Sequence, residues 1–493
     1  MLVAIRRLCV LLAGMSLLVA VPASIVRQAG AQARPGAVRE DPITVLARAR
    51  EVMGFARSDG SVIHYRAVAA VEQNFQSDRT YPPFFSAMQI KEGWLDPMRA
   101  IERVSIQTAF PGGGPGPTQI SLTDSKRAFG LANEKLNALP RSSMQSRYLN
   151  PWTVVADWSA AGDVRFSGRE LYRDYPRAVL LRTTPDGEQR LFVDSKSGFP
   201  LKLDLIEKHY LWGQRHVEYL YSNWTRSGPI MFPGSSFKLV DGETEISQTL
   251  GDVEMVASNA AALPALPKEP TESADALPLF LQPLDLKVVE VGPKTYLLSN
   301  PGYIEAVTRI GNEIFLFDPT QGEERARKDA AAIAKLFPGQ HKLTVVVTDL
   351  AWPHVAGLRY WVASGATIIS HKAAREFLQD VIDRRWTLAP DLLEQRRQTA
   401  KLRFIGVDSV YSTAGGAISL HPIDGIGSEV ALMAYLVPDR FLWASDYIQT
   451  LSRPTSYASE VWRAVQRDAL KPERTAAEHL PLTPWEKIEE LQK

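Results

Sequence analysis

Val345-Val346-Val347-Thr348-Asp349-Leu350-Ala351-Trp352-Pro353-His354-Val355-Ala356-Gly357-Leu358-Arg359 is the stretch that decides the fold. Its β-branched, uninterrupted apolar start reads as a strand buried on both faces, over 343–348. Thr348 and Asp349 end that strand, and Pro353 stands where a new helix begins. The spacing predicts a helix over 355–363, so His354 lies at a strand-to-helix turn. Strands are expected before it at 295–298, 304–307 and 314–317, with an alanine-rich helix over 323–336. Beyond it the pattern predicts strands at 366–370, 417–420, 430–436 and 441–444, and helices at 371–382 and 391–400. Strand-rich openings followed by strand–helix alternation imply sheets covered by outer helices, an α/β sandwich.

The chain is 493 residues long, enough for two or three domains, and is 45% hydrophobic and 23% charged. Lys and Arg number 56 against 55 Asp and Glu, for a net charge of +1 without a basic run. That balance excludes an electrostatic nucleic-acid footprint.

Arg6 and Arg7 precede an apolar run from Leu8 to Val21, followed by small-residue cleavage options at Val21-Pro22-Ala23 or Ala31-Gln32-Ala33. This pattern predicts a signal peptide over 1–33, too short to span a membrane comfortably, and a periplasmic or secreted product. The single cysteine, Cys9, lies in that leader, so the processed chain would hold no disulfide, thiolate nucleophile or Cys-ligated metal. No later segment is long and apolar enough for a transmembrane anchor.

Residues 41–258 have a different character. Asp41-Pro42 opens a helix as N-cap and first-turn proline, with Val45, Leu46, Ala49, Val52 and Met53 on one face and Gly54 as its stop. Short alternating segments follow, such as Leu201, Leu203 and Leu205 against Lys202 and Asp204. The expected form is an α+β domain, one helix on a curved antiparallel sheet. Pro264, Pro267, Pro270, Pro278 and Pro283 mark 259–285 as a semi-extended linker. The remaining domain is 286–493.

No Gly-x-Ser-x-Gly elbow, phosphate loop or His-Glu-x-x-His occurs. Five of the eight histidines, His341, His354, His371, His421 and His479, fall in 286–493.

The stretch around His354 resembles the metal-binding turn of the metallo-β-lactamase superfamily, which places Thr-His-x-His-x-Asp-His after a buried strand. Ile314-Phe315-Leu316-Phe317-Asp318 resembles its early strand ending in Asp. Phe441-Leu442-Trp443-Ala444-Ser445-Asp446 resembles the segment delivering the bridging aspartate, and His479-Leu480-Pro481 the last histidine loop. The resemblance covers 286–493 and implies an αββα sandwich.

It also implies which ligands are altered. The first-metal positions read Asp349, Ala351 and Gly427, and two of these cannot coordinate. The second-metal positions read Pro353, His354, Asp446 and His479. Three ligands survive, with Asp349 as a candidate fourth, which leaves room for one zinc or iron ion, or none. Proline in place of the motif aspartate also removes the carboxylate that orients the attacking water. The bland readings are a helix-capping His354, a turn residue Asp446, an exposed His479, a backbone-satisfying Asp349, and structural or solvated roles for His371 and His421.

Leu191-Phe192-Val193-Asp194-Ser195-Lys196-Ser197-Gly198-Phe199-Pro200 resembles a hairpin of periplasmic lipoprotein carriers (LolA-like proteins). The expected function is an exported metallo-β-lactamase-fold protein, non-catalytic or weakly active. The alternatives are a single-metal hydrolase of an unknown small molecule and a carrier of a hydrophobic ligand or lipid.

Overall fold

The computed structural model of the protein describes residues 40–57, 60–75, 79–110, 115–184, 187–257, 263–277, 281–282, 284–425, 429–451 and 456–492. The expected leader, Cys9 and Gly427 lie outside the described residues. Glu40–Lys493 form one compact unit.

The first half of that unit is an antiparallel sheet of thirteen strands. Ser61–Glu72 lies near its middle, paired on one side with Ser86–Asp96 and on the other with the last strand, Glu243–Ala257. The helix Pro42–Met53 forms with Asp41 accepting from the backbone N–H groups of Ile43 and Thr44, and Gly54 ends it at φ 90°. A second helix, Pro151–Ala160, covers the same face and was not legible in the sequence. Asn150 caps it, and every residue from Pro151 to Trp158 is buried. Its polar residues Thr153 and Asp157 are buried along with the apolar ones, so no solvent-facing stripe marks the helix and pattern reading passes over it.

Within the proline-rich segment, the described stretch 263–277 is tied to the thirteen-stranded sheet. Ser273 is buried, its Oγ accepts from Ala128 N–H at 2.8 Å and its N–H donates to the Lys126 carbonyl at 3.0 Å. Arg127 reaches the carbonyl of Pro267 at 2.5 Å.

Two mixed sheets build the second half. The larger runs Lys287–Gly292, Thr295–Ser299, Ile304–Ile310 and Glu313–Phe317 antiparallel, then Lys342–Val346, Thr367–His371 and Arg403–Val407 parallel. The smaller orders Tyr411–Thr413, Ile418–Pro422, Leu432–Leu436, Phe441–Trp443, Arg474–Ala476 and Thr483–Pro484. Alternation assigns each residue its layer. Phe315, Phe317, Val346 and Ile369 meet Leu432, Ala434, Leu436 and Trp443 between the sheets. Ile314, Leu316 and Val345 face outward under the helices Glu323–Leu336, Leu358–Ala363 and Arg375–Asp383. Met433, Tyr435 and Leu442 face the helices Ser456–Arg467 and Trp485–Leu491. The order is helix, sheet, sheet, helix.

The helix expected over 355–363 is broken into Trp352–Val355 and Leu358–Ala363. Gly357 sits at the break, where its N–H donates to the Pro319 carbonyl at 2.7 Å. A Cβ there would stand 2.9 Å from that oxygen.

The halves interlock through the turn between Pro200–His209 and Gly213–Ser227. Leu211 is fully buried in the second half's core. Trp212 stands edge-on to Trp352 at 5.6 Å and to Phe377 at 5.3 Å. Arg384 donates to the carbonyls of Trp212 and Gln214, each at 3.0 Å. No helix among the described residues is long and apolar enough to cross a membrane.

Candidate metal centre

The parallel strand Lys342–Val346 delivers Thr348 to a buried turn. Asp318, at the end of the neighbouring strand, accepts from Thr348 N–H at 2.6 Å, from Thr348 Oγ1 at 2.5 Å and from Trp443 Nε1 at 2.7 Å. One carboxylate therefore ties both sheets to the turn. Burial and the nearby Asp349 push Asp318 up to about 7, against the pull of those donors. Asp318 and Ser445 hold φ of 58° and 56°, a region costly for residues with a Cβ, at strand ends that flank the site.

Asp349 then turns back on His354. Both its oxygens lie 3.0 Å from His354 Nδ1; Oδ1 also accepts from Ala351 N–H at 2.8 Å, and Oδ2 from Ser445 Oγ at 3.1 Å. Glu478 Oε2 stands 2.9 Å from the same nitrogen. A ring nitrogen has one N–H, so Asp349 and Glu478 share that single donor, and Glu478 Oε1 has no partner. Burial alone would discharge the His354 ring, but Asp349, Glu478 and Asp446 outweigh it and hold its pKa well above the usual histidine range. Burial first, then Asp349 and Asp318, raise Glu478 well above the carboxylate range against the opposing pull of His354. Asp349 is lowered: His354 and its N–H and hydroxyl donors overcome the penalty of burial.

His479 lies across the His354 ring, 5.8 Å between centroids. The Gly302 carbonyl lies 3.1 Å from its Nδ1, which turns Nε2 toward Asp446, 3.5 Å from Oδ1. Gln449 Nε2 donates to both Asp446 oxygens, at 3.1 and 3.0 Å. Burial and the charged His354 ring lower the pKa of His479. Tyr303 closes one side, its ring 4.9 Å from His479 and 5.6 Å from His354. Burial, then the surrounding acids, push its phenol up to about 12 although His354 pulls the other way.

Among the described residues, one donor atom each of His354, Asp446 and His479 fall within 4.8 Å of one another. Asp349, His354 and Glu478 make a second such group. Spacing tells the two apart. Separations of 2.9–3.0 Å at His354 Nδ1 are hydrogen-bond lengths. The 3.5 Å between His479 Nε2 and Asp446 Oδ1 is longer, close to the edge of about 3.4 Å between two ligands on one tetrahedral zinc. With Nδ1 engaged, Nε2 is the nitrogen His354 has left to offer. Two imidazoles and a carboxylate suit one zinc or iron(II) ion.

A third group, Asp204, His216 and Glu218, lies on the thirteen-stranded sheet with Lys202 Nζ 2.7 Å from Glu218, so an ammonium already fills the cation's role. His421 stands apart, between Asp468 at 2.8 Å and Ser419 at 2.8 Å. His371 accepts from Ala373 N–H at 3.4 Å, a local cap. The sequence reading missed Glu478 and Tyr303. Glu478 directly precedes a candidate ligand, a weak signal, and Tyr303 offered none.

The fold and site together define a four-layer αββα protein with a candidate mononuclear metal centre. Several solved structures are similar over part of the chain. DIM-1 metallo-beta-lactamase matches with 11% identity and a TM-score of 0.33, over 42% of this chain and 96% of that one. Metallo-beta-lactamases from Pontibacter korlensis, with 13% identity over 42% and 97%, and from Hirschia baltica, with 12% over 42% and 96%, each have a TM-score of 0.32. No family model and no curated protein matches the chain.

Proposed function

We propose that the αββα half holds one divalent cation, zinc or iron(II), on His354, Asp446 and His479. The observation that carries this is the 3.5 Å between His479 Nε2 and Asp446 Oδ1, with the other nitrogen of His479 fixed on Gly302. Asp349 belongs behind His354 as its orienting carboxylate rather than among the ligands. A bound ion would supply Lewis acidity to a carbonyl or water oxygen.

The chain's own residues set the limits of any hydrolysis. Pro353 offers no carboxylate to orient water, and Asp349 and Glu478 are buried behind the His354 ring, away from the half-exposed His479 side. The protein is therefore read as metal-binding and weakly hydrolytic or non-catalytic toward a small molecule, and as exported by the Arg6-Arg7 and 8–21 leader pattern.

The carrier reading gains no support. The helix-covered face of the thirteen-stranded sheet is filled by Leu46, Leu149, Val154, Trp158, Leu203 and Tyr219. The cavity of about 260 Å³ at its margin is lined by charged groups including Asp157, Arg182 and Glu207.

Calorimetric titration of chelator-treated protein with zinc tests the proposal, beside a panel of ester, thioester, lactone and β-lactam substrates. One site per chain and slow or no turnover are expected. No binding, two sites per chain, or rapid turnover would contradict it.

A further inference from the structure

We infer that Glu478 is a positioning residue of the metal centre, which with Asp349 grips one edge of the His354 ring so that the opposite nitrogen faces Asp446 and His479. The inference rests on the single-cation reading above and extends it to a residue outside the ligand set.

Three observations carry it. Glu478 is fully buried, its Oε2 lies 2.9 Å from His354 Nδ1, a nitrogen it shares with Asp349, and its Oε1 has no hydrogen-bond partner. Burying a carboxylate on one shared donor is costly, and an isosteric amide or apolar side chain would avoid the cost. Nor can the side chain simply swing away, because its backbone is fixed on both sides. Glu478 N–H donates to the Ser445 carbonyl at 3.0 Å, and its own carbonyl accepts from Ile304 N–H at 2.8 Å.

Charge is the third. Among the described residues, the ion pairs of Asp349 and Glu478 are with His354 alone, and no lysine or arginine reaches either. Two carboxylates on one nitrogen of the imidazole leave its far nitrogen as the one free to meet a cation. A carboxylate behind a ligating histidine fixes the ring and strengthens it as a donor. Here two carboxylates do so, one from the turn before the ligand His354 and one from the residue before the ligand His479. Both ligand segments are thereby coupled through one ring.

The test is Glu478→Gln in the full-length protein, titrated with cobalt(II) and followed by its visible absorption, with zinc competition for affinity. Thermal unfolding of the metal-free form is measured alongside. Retained folding, an unfolding temperature equal to or above the wild type, a tenfold or greater loss of affinity and an altered cobalt band are expected. A side chain serving only the fold would instead lower the unfolding temperature and leave the cobalt band unchanged. Wild-type affinity and band shape in Glu478→Gln would overturn the inference while leaving the cation site standing. If Glu478→Gln does not fold, Glu478→Asp is read by the same two signals, and wild-type values in it overturn the inference equally. Absence of any cobalt or zinc binding by the wild type would overturn both this inference and the reading beneath it.

Discussion

Asp349 meets His354 through both carboxylate oxygens, each 3.0 Å from Nδ1. The acid lies at hydrogen-bond distance from one edge of the ring, the geometry of an orienting partner. Asp349→Asn keeps the shape but presents an amide to the ring N–H. Zinc affinity measured by competition is expected to fall about 10–100-fold. An unchanged affinity would remove Asp349 from the centre.

Asp318 accepts from Thr348 and Trp443 and so joins both sheets beneath the site. Trp443→Phe deletes one buried donor with little change of shape. A loss of about 1–3 kcal/mol in urea unfolding is expected.

Leu211 belongs to the thirteen-stranded half by sequence and to the sandwich core by packing. Leu211→Ala is expected to cost about 2–5 kcal/mol, with both halves still unfolding in one transition. Two transitions in the variant, seen by calorimetry, would mean the interlock is weaker than its burial implies.

Asp157 is buried beside Arg147, 3.0 Å away, and burial pushes its pKa up to about 6 although Arg147 and Arg182 draw it down. The folded protein thus holds this proton more tightly than the unfolded chain, whose aspartates titrate near 3.8. The sign follows: as pH falls from about 6 toward 4 the folded state takes up the proton first, and this group's contribution to stability rises. Above pH 6 that contribution is gone. Asp157→Asn removes the dependence, so the difference in unfolding free energy between variant and wild type is expected to change between pH 4 and 6 and to be flat above. A flat difference throughout would contradict the assignment.

Much of the sandwich was legible because its strands carry strong signals. The apolar run before Thr348, the apolar run from Val430 to Val437, and the alanine-rich stretch that forms Glu323–Leu336 each announce their element. The helix Pro151–Ala160 was hidden, since Pro151 to Trp158 are buried, Thr153 and Asp157 included, and no exposed polar stripe marks it. The hairpin tip at Leu211 and Trp212 reads as an ordinary turn, and only tertiary packing reveals what it meets. At the site, His354, Asp446 and His479, whose donor atoms the fold brings together, could be proposed from their order in a resembling motif. Glu478 could not, because its significance lies in a contact with a residue more than a hundred positions away. The same holds for Tyr303, whose ring only becomes notable once two histidines lie against it.

The most direct test of the single-cation claim is the metal content of the exported, untagged protein by elemental mass spectrometry, beside a His354→Ala, His479→Ala double variant. Close to one zinc or iron per wild-type chain and none in the equally folded variant are expected. No metal in either, or equal metal in both, would contradict it.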